Sequence, residues 1–214
     1  MENPIDNLTD RQRRILDFLL FVDRFKMIER WGLVGDGSRR ETDAEHTWHM
    51  ALYAVLLHGE IGLDCDLAHA LKLVLIHDLV EIHAGDAPAY DAAAQAGQAE
   101  RERAAADRLY AMLPVDIGED LKAMWYEFEA AETPEARFAH AVDRLQALGQ
   151  SVASHGEGWR QHGVRRAQTE RRMAPACEVD PAITALVDAL MHRAEVEDLW
   201  SPPDGNADGS PVTR

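Results

Sequence analysis

The sequence is poor in cysteine and has no long hydrophobic run. Its two cysteines, Cys65 and Cys177, are far apart and outside any metal-binding spacing, which excludes a disulfide framework and suits a reducing compartment. The longest apolar candidate, residues 15–22, is interrupted by Asp17 and is far shorter than the ~18 residues that a membrane span requires. The N-terminal stretch MENPIDNLTDRQRR lacks the pattern of a signal peptide. We therefore expect a cytoplasmic protein with no membrane partner.

Basic residues are also scarce. The chain has 22 Lys and Arg against 38 Asp and Glu, which gives a formal net charge of -16. An acidic surface repels phosphate backbones, so we expect no nucleic-acid partner. A small anionic substrate needs only local positive groups and is compatible with this charge.

The apolar residues recur at helical spacing nearly throughout, and no strict alternation typical of a strand is present. Hydrophobic residues make up 46% of the chain, enough for one packed core. The pattern predicts one all-α domain over residues 1–200 and a disordered tail over 201–214. Helices are predicted over about 9–31, 43–61, 66–82, 91–113, 118–132, 134–155, 159–173 and 181–199, with a Gly-rich loop over 32–40.

The third predicted helix contains the stretch LIHDLVE, which places charges among apolar residues. A buried charge is costly unless it is paired or bound to a metal. Glu81 follows His77 by four residues and Asp78 by three, so on a helix the three side chains face a common region. His46 and Asp143 also stand at the edges of apolar helix faces and could complete a metal site in a bundle. From spacing alone, a hydrogen-bonded core pair stays open as the alternative.

The order His46, His77-Asp78, Asp143 resembles the H…HD…D pattern of the HD-domain metal-dependent phosphohydrolases. The resemblance covers about residues 16–149 and is to the 5'-deoxynucleotidase branch of that superfamily. It is carried by ERW at 29–31, RRETDAEHT at 39–47, HDLVE at 77–81, GDAP at 85–88, MWYEFE at 124–129 and TPEARF at 133–138.

The resemblance implies a single-domain HD-type helical bundle with a mononuclear metal site in its core. His46, His77, Asp78 and Asp143 would hold one divalent ion, and the sequence does not decide among Mn, Co, Zn, Fe, Ni and Mg. Such an ion polarises a phosphate and lowers the pKa of a bound water.

The same resemblance implies the catalytic and substrate-binding residues. Glu81 would orient or deprotonate the attacking water, and Asp86 would position or protonate the leaving group or the water. Arg30 and Trp31 would contact the phosphate and the sugar or base of the substrate, and Arg40 is a further candidate for the phosphate. The alternatives are a core aromatic for Trp31 and a solvated loop for Arg40.

The predicted function is hydrolysis of a small phosphorylated substrate, a nucleoside 5'-monophosphate and in particular a 2'-deoxynucleotide, to nucleoside and phosphate. Two alternatives stay open: an HD phosphohydrolase for another small phosphate ester, and a non-catalytic nucleotide-binding module. The resemblance also implies a homodimer, for which we expect Trp125 and Phe128 to supply exposed apolar surface. Residues 156–172, beyond the resemblance, are interpreted as an exposed basic helix rather than as a cover over the site or a subunit contact.

Overall fold

The computed structural model describes residues 7–202, and helices account for most of them. The helices are α1 (Asp10–Phe21), α2 (Asp43–Leu57), α3 (Leu67–Ile76), α4 (Glu81–Ala84), α5 (Ala92–Gln95), α6 (Gln98–Tyr110), α7 (Val115–Ala130), α8 (Pro134–Ala153), α9 (Glu157–Gln161), α10 (Arg166–Cys177) and α11 (Pro181–Val196). The predicted helical fold class is confirmed. The domain bounds stay a prediction, and the predicted tail lies outside the described residues beyond Pro202.

Helix α2 begins where the sequence predicts, and this start positions the site. The Thr42 hydroxyl accepts a hydrogen bond from the backbone N–H of Glu45, and the Glu45 carboxylate accepts one from the backbone N–H of Thr42. This capping box satisfies two N–H groups that the first turn otherwise leaves unpaired. It places Asp43 and His46 in the first turn of α2, where both are buried.

The first predicted helix is too long. Helix α1 ends at Phe21, and a 3₁₀ helix over Val22–Met27 follows it. The chain then forms strand β1 (Glu29–Leu33), which pairs antiparallel with β2 (Arg40–Thr42). The prediction of no strand is therefore wrong here, because strands of five and three residues are too short to show alternation.

The third predicted helix does not continue through the HD pair. Helix α3 ends at Ile76, and a turn precedes the short α4. In that turn the N–H groups of Leu79 and Glu81 donate to carbonyls three residues back rather than four. The prediction of one continuous helix is wrong, because the backbone turns more tightly at His77 and Asp78. These two residues therefore lie at the end of α3 and not on its side.

Glycines with positive φ divide two other predicted helices. Gly97, at φ 70°, separates α5 from α6 inside the predicted helix over residues 91–113. Gly163, at φ 66°, lies between α9 and α10. Helix α2 also ends at Leu57, earlier than predicted.

Helix α8 is the centre of the packing. It contacts α2, α3, α7, α10 and α11. Its first half contributes to an apolar cluster with α3, α6 and α7, and its second half contributes to another with α9, α10 and α11. Asp143 lies near the middle of α8, so it is held between the two clusters.

Trp125 and Phe128 are not available as subunit-contact residues. Their exposed fractions are 2% and 4%, because both belong to the first apolar cluster. The prediction of exposed apolar surface at these positions is wrong: the inward face of α7 carries them.

Among residues 7–202, no helix combines the length and apolar character needed to cross a membrane. Cys65 and Cys177 are both free thiols, as the cysteine spacing predicts. The cytoplasmic location stays a prediction.

Candidate metal centre and active site

Two buried histidines present their Nε2 ring nitrogens to the same point. His46 Nδ1 lies 2.6 Å from Gln146 Oε1, and His77 Nδ1 lies 2.7 Å from the backbone oxygen of Val74. Carbonyl oxygens only accept hydrogen bonds, so each Nδ1 carries a hydrogen and Nε2 is the ring atom left to bind a metal ion. Burial disfavours the charged form of His77, but the adjacent Asp78 carboxylate raises its pKa to about 9, so an ion that binds its Nε2 displaces a proton. Both Nε2 atoms are buried without a hydrogen-bond partner among the described residues.

Carboxylate oxygens surround these two nitrogens. Asp143 Oδ1 lies 3.1 Å from His46 Nε2. Asp78 Oδ2 lies 2.9 Å from His77 Nε2 and 4.0 Å from His46 Nε2. One ligand atom from each of His46, His77 and Asp143 falls within 4.8 Å of the others. The donor set of two imidazoles and two carboxylates fits a first-row divalent ion.

A second group of carboxylates adjoins this cluster around Arg30. Ligand oxygens of Asp43, Asp78 and Glu81 also lie within 4.8 Å of one another. Arg30 on β1 donates to Asp43 Oδ1 at 3.0 Å and to Asp78 Oδ2 at 2.8 Å. Burial opposes the charge of Arg30, but the charges of Asp78 and Asp43 outweigh it and hold its pKa well above the ordinary value. Arg30 is therefore a permanent cation that balances part of the acidic charge.

Asp43 was missed as a site residue by sequence reasoning, which treated it only as a possible helix cap. The signal was its spacing, because Asp43 precedes His46 by three residues and so shares its helix face. Its backbone N–H donates to the carbonyl of Ile28, which fixes the start of α2 beside β1.

Glu81 and Asp86 have pKa values above those of exposed carboxylates. Burial, and then the negative charges of Asp78 and Asp43, raise the pKa of Glu81 well above its ordinary value. Its Oε2 atom is buried without a hydrogen-bond partner in the described part of the chain. Burial also raises the pKa of Asp86, although the positive charge of Arg30 opposes the shift. Both groups can exchange a proton closer to neutral pH than an exposed carboxylate can.

Gln146 organises the site behind His46 and was also missed. Its Nε2 donates to Glu41 Oε1 at 2.9 Å, while its Oε1 accepts from His46. Burial raises the pKa of Glu41 to about 7, against the lowering effects of Arg30 and Gln146. The available signal was spacing, since Gln146 follows Asp143 by three residues on α8.

A pocket opens beside the metal cluster. It is lined by Arg30, Trp31, Glu41, Asp86 and Tyr90 from the motif-bearing part of the chain, and by Trp159, His162 and Arg172 from the segment after it. The ring of Trp31 stacks on His162 with centroids 3.9 Å apart and planes inclined by 15°.

The interpretation of residues 156–172 as an exposed basic helix is wrong. The segment is divided between α9 and α10, and Trp159 is 4% exposed. Its residues form a wall of the pocket. The sequence did not predict this role for two reasons. The charged residues of α10 are typical of an exposed helix, and the segment lies outside the motifs on which the resemblance rests.

Arg40 is close to the pocket but is not one of its lining residues. Its guanidinium donates to the backbone oxygen of Arg30 at 3.2 Å and so links β2 to β1. The structure thus brings together all of the predicted metal ligands and the candidates Glu81, Asp86, Arg30 and Trp31, whereas the role of Arg40 stays a prediction.

Comparisons with known proteins agree with this geometry. The 5'-deoxynucleotidase HDDC2 of Bos taurus is 28% identical over 151 residues, which span 70% of this chain and 72% of that protein. Its Homo sapiens counterpart is 29% identical over 140 residues, or 65% of this chain and 67% of that protein. A crystal structure of a predicted metal-dependent phosphohydrolase from Magnetospirillum magnetotacticum MS-1 superposes with a TM-score of 0.84 at 38% identity, covering 90% of this chain and 96% of that one.

A family model described as the HD domain matches residues 22–181, which include every predicted metal ligand. The match confirms the resemblance inferred from the sequence motifs. The chain belongs to the HD domain family.

Proposed function

We propose that this protein is a metal-dependent phosphomonoesterase that hydrolyses nucleoside 5'-monophosphates, 2'-deoxynucleotides in particular, to nucleoside and phosphate. The observation that carries the proposal is the convergence of two buried Nε2 atoms and two carboxylates beside a pocket lined by aromatic rings and arginines. The relatives named 5'-deoxynucleotidase support the substrate class.

The proposed metal ligands are His46, His77, Asp78 and Asp143. The proposal is supported by the buried, unpartnered Nε2 atoms and by the carboxylate oxygens next to them. When bound, a divalent ion at this point polarises the phosphate and lowers the pKa of a water molecule. Nitrogen and oxygen ligands of this kind suit Mn, Co, Zn, Fe or Ni, and the carboxylates keep Mg among the candidates.

The proton transfers are assigned to Glu81 and Asp86. Glu81 adjoins Asp78, and its raised pKa suits a base that accepts the proton of the attacking water at Oε2. Asp86 lines the pocket, where it is placed to protonate or position the leaving oxygen of the nucleoside.

Substrate positioning is assigned to Arg30 and Trp31. Arg30 uses one terminal nitrogen to hold Asp43 and Asp78 and keeps its other N–H groups for a phosphate oxygen. Trp31, stacked on His162, provides a flat apolar wall for the sugar or base.

The deciding experiment is phosphate release from metal-stripped protein. Deoxynucleoside and ribonucleoside 5'-monophosphates and sugar phosphates are supplied as substrates, and Mn, Co, Zn, Fe, Ni and Mg are added back singly. We expect metal-dependent release that favours the deoxynucleotides. Release from sugar phosphates alone would assign another phosphate ester, and nucleotide binding without release would indicate a non-catalytic module.

Matched variants separate metal binding from catalysis. Asp78→Ala should lose the ion because it removes a proposed ligand, whereas Glu81→Gln should keep the ion and lose turnover. Glu119→Gln, an exposed change on α7, controls for the loss of one negative charge. A Glu81→Gln variant with wild-type turnover would remove Glu81 from the proposed mechanism.

We also propose that the protein is a homodimer that pairs through the outer face of α2. Trp48, Leu52, Val55 and Leu56 recur at helical spacing on this face, and the exposed fractions of Trp48 and Leu56 are 67% and 63%. A contiguous apolar stripe is commonly a contact surface. Light scattering should give twice the chain mass for the wild type and a monomer for Leu56→Glu, with Val115→Glu on α7 as the control; a monomeric wild type would refute the proposal.

A further inference from the structure

Arg172 brings a positive charge to the pocket from outside the motif-bearing part of the chain. It lies on α10, one residue before the buried Met173, and its side chain lines the pocket together with Arg30 and Asp86. Helix α10 packs along α8, the helix that carries Asp143. The position of Arg172 relative to the proposed metal ligands is therefore fixed by helix packing rather than by a loop.

The guanidinium of Arg172 is uncommitted, unlike that of Arg30. Arg172 is half-buried, and within residues 7–202 it has no hydrogen bond and no carboxylate oxygen within 4.0 Å. Arg30 is held by Asp43 and Asp78, so much of its charge is already balanced. A half-buried arginine without a hydrogen-bond partner gives up part of its hydration, which an anion bound to its N–H groups would replace.

The charge of Arg172 reaches the reaction centre. Its field helps to lower the pKa of Asp143, whose largest single lowering effect comes from His46 and which is held well below its ordinary value despite burial. It also opposes the rise that burial causes in the pKa of Asp86. The charge of Arg172 therefore acts both on a proposed metal ligand and on a carboxylate that lines the pocket.

We propose that Arg172 binds the phosphate dianion of the substrate, an inference that rests on the proposed function and names a phosphate-binding residue for it. The planar guanidinium can donate two parallel N–H groups to two phosphate oxygens, which fixes the orientation of the phosphate as well as its charge. A second arginine suits this pocket, because Asp43, Asp78 and Glu81 outnumber the positive charge of Arg30 beside them.

The first test is a binding measurement that needs no turnover. Inorganic phosphate is titrated calorimetrically into the Mn-loaded wild type, Arg172→Gln, Arg172→Lys and Arg171→Gln, where Arg171 is the exposed neighbour on the same helix. We expect phosphate to bind about tenfold to hundredfold more weakly to Arg172→Gln, with partial recovery in Arg172→Lys and no change in Arg171→Gln. Metal content and thermal midpoint verify that each variant is folded and loaded. Equal affinity in the wild type and Arg172→Gln, or no phosphate binding by the wild type, overturns the proposal.

Steady-state kinetics then show which part of the substrate Arg172 contacts. Arg172→Gln should raise KM for a deoxynucleoside 5'-monophosphate, while the inhibition constant of the corresponding nucleoside, which lacks the phosphate, stays unchanged. A nucleoside inhibition constant that rises as much as KM would assign Arg172 to the sugar or base and overturn the phosphate assignment. If the wild type hydrolyses no nucleotide, the proposed function fails by itself, and the phosphate titration still decides the role of Arg172.

Discussion

The hydrogen bonds at Nδ1 of His46 and His77 determine whether their Nε2 atoms can serve as metal ligands. His77 depends on a backbone oxygen three residues back, whereas His46 depends on a side chain 100 positions away, Gln146. A mutation can therefore remove the hydrogen-bond partner of His46 while all four proposed metal ligands stay in place.

Replacing Gln146 by Ala should weaken metal binding by about tenfold to hundredfold, because the His46 ring loses the acceptor that fixes its tautomer and orientation. Calorimetric titration of Mn into stripped protein measures the effect, and activity should return at saturating metal. Gln161→Ala, an exposed change on α9, is the control. Unchanged affinity in Gln146→Ala would show that the hydrogen bond does not organise the site.

Glu41 should make the stability of the metal-free protein depend on pH. Its pKa is raised from 4.5 to about 7 by burial, so the folded state favours the protonated acid and the wild type loses stability as pH rises from about 4.5 to 7. Glu41→Gln keeps a neutral group that can still accept from Gln146. We expect this variant to exceed the wild type by about 1–3 kcal/mol in unfolding free energy at pH 8 and to equal it at pH 4.

Urea denaturation at the two pH values measures this difference, with Glu119→Gln as the control for the loss of one charge on an exposed helix. An equal advantage of Glu41→Gln at both pH values would contradict a titration at Glu41 and indicate a packing effect.

Among single residues, His46, His77, Asp78 and Asp143 could be predicted as metal ligands from the sequence because their order in the chain matches a known pattern. Gln146 acts through contacts with residues far from it in sequence; its spacing of three residues from Asp143 indicates a shared helix face but does not identify those contacts.

At the scale of elements, Gly156 fixes the junction between α8 and the helices that form the pocket wall. Its φ is 66°, and a Cβ placed there would lie 2.2 Å from the backbone oxygen of Leu199. Gly163 has the same φ, but nothing lies within 4 Å of its Cβ position. Substitutions at the two glycines can therefore distinguish the free-energy cost of backbone strain from that of a steric clash.

Gly163→Ala should lower the unfolding free energy by about 1 kcal/mol, the cost of a left-handed conformation for a residue with a Cβ. Gly156→Ala should lower it by more than about 2 kcal/mol, because backbone atoms of Leu199 must also move. Chemical denaturation of both variants measures the difference. Equal losses of unfolding free energy in the two variants would show that the segment around Leu199 moves to accommodate the added methyl group.

Helix bounds were predictable where a capping residue and a proline coincide. Thr133-Pro134 and Asp180-Pro181 start α8 and α11 at the predicted positions. The prediction failed where apolar spacing continues through a backbone change, as at the HD pair after α3, because periodicity reports the burial of side chains and not the hydrogen bonds of the backbone.

For the whole molecule, the proposed ligands lie on segments that are far apart in the chain: α2, the turn after α3, and α8. An ion bound to all of them stabilises only the folded state, by about 4 kcal/mol when its free concentration is a thousand times Kd. Chelation should therefore lower the thermal midpoint of the wild type, and added Mn should restore it. The thermal midpoint of Asp78→Ala should not change on chelation. A wild-type midpoint that is equal with and without chelator would contradict a bound ion at this site.

The placement of Asp143 on α8 has a consequence for biosynthesis. On the ribosome the proposed ligand set is complete only after α8 has emerged and packed against α2 and α3, because Asp143 is one of its members. Metal loading is then a step that follows folding, so the ion acquired reflects which metals are available to the finished protein. Protein refolded from denaturant with a single metal should carry that metal, whatever ion was present during its synthesis.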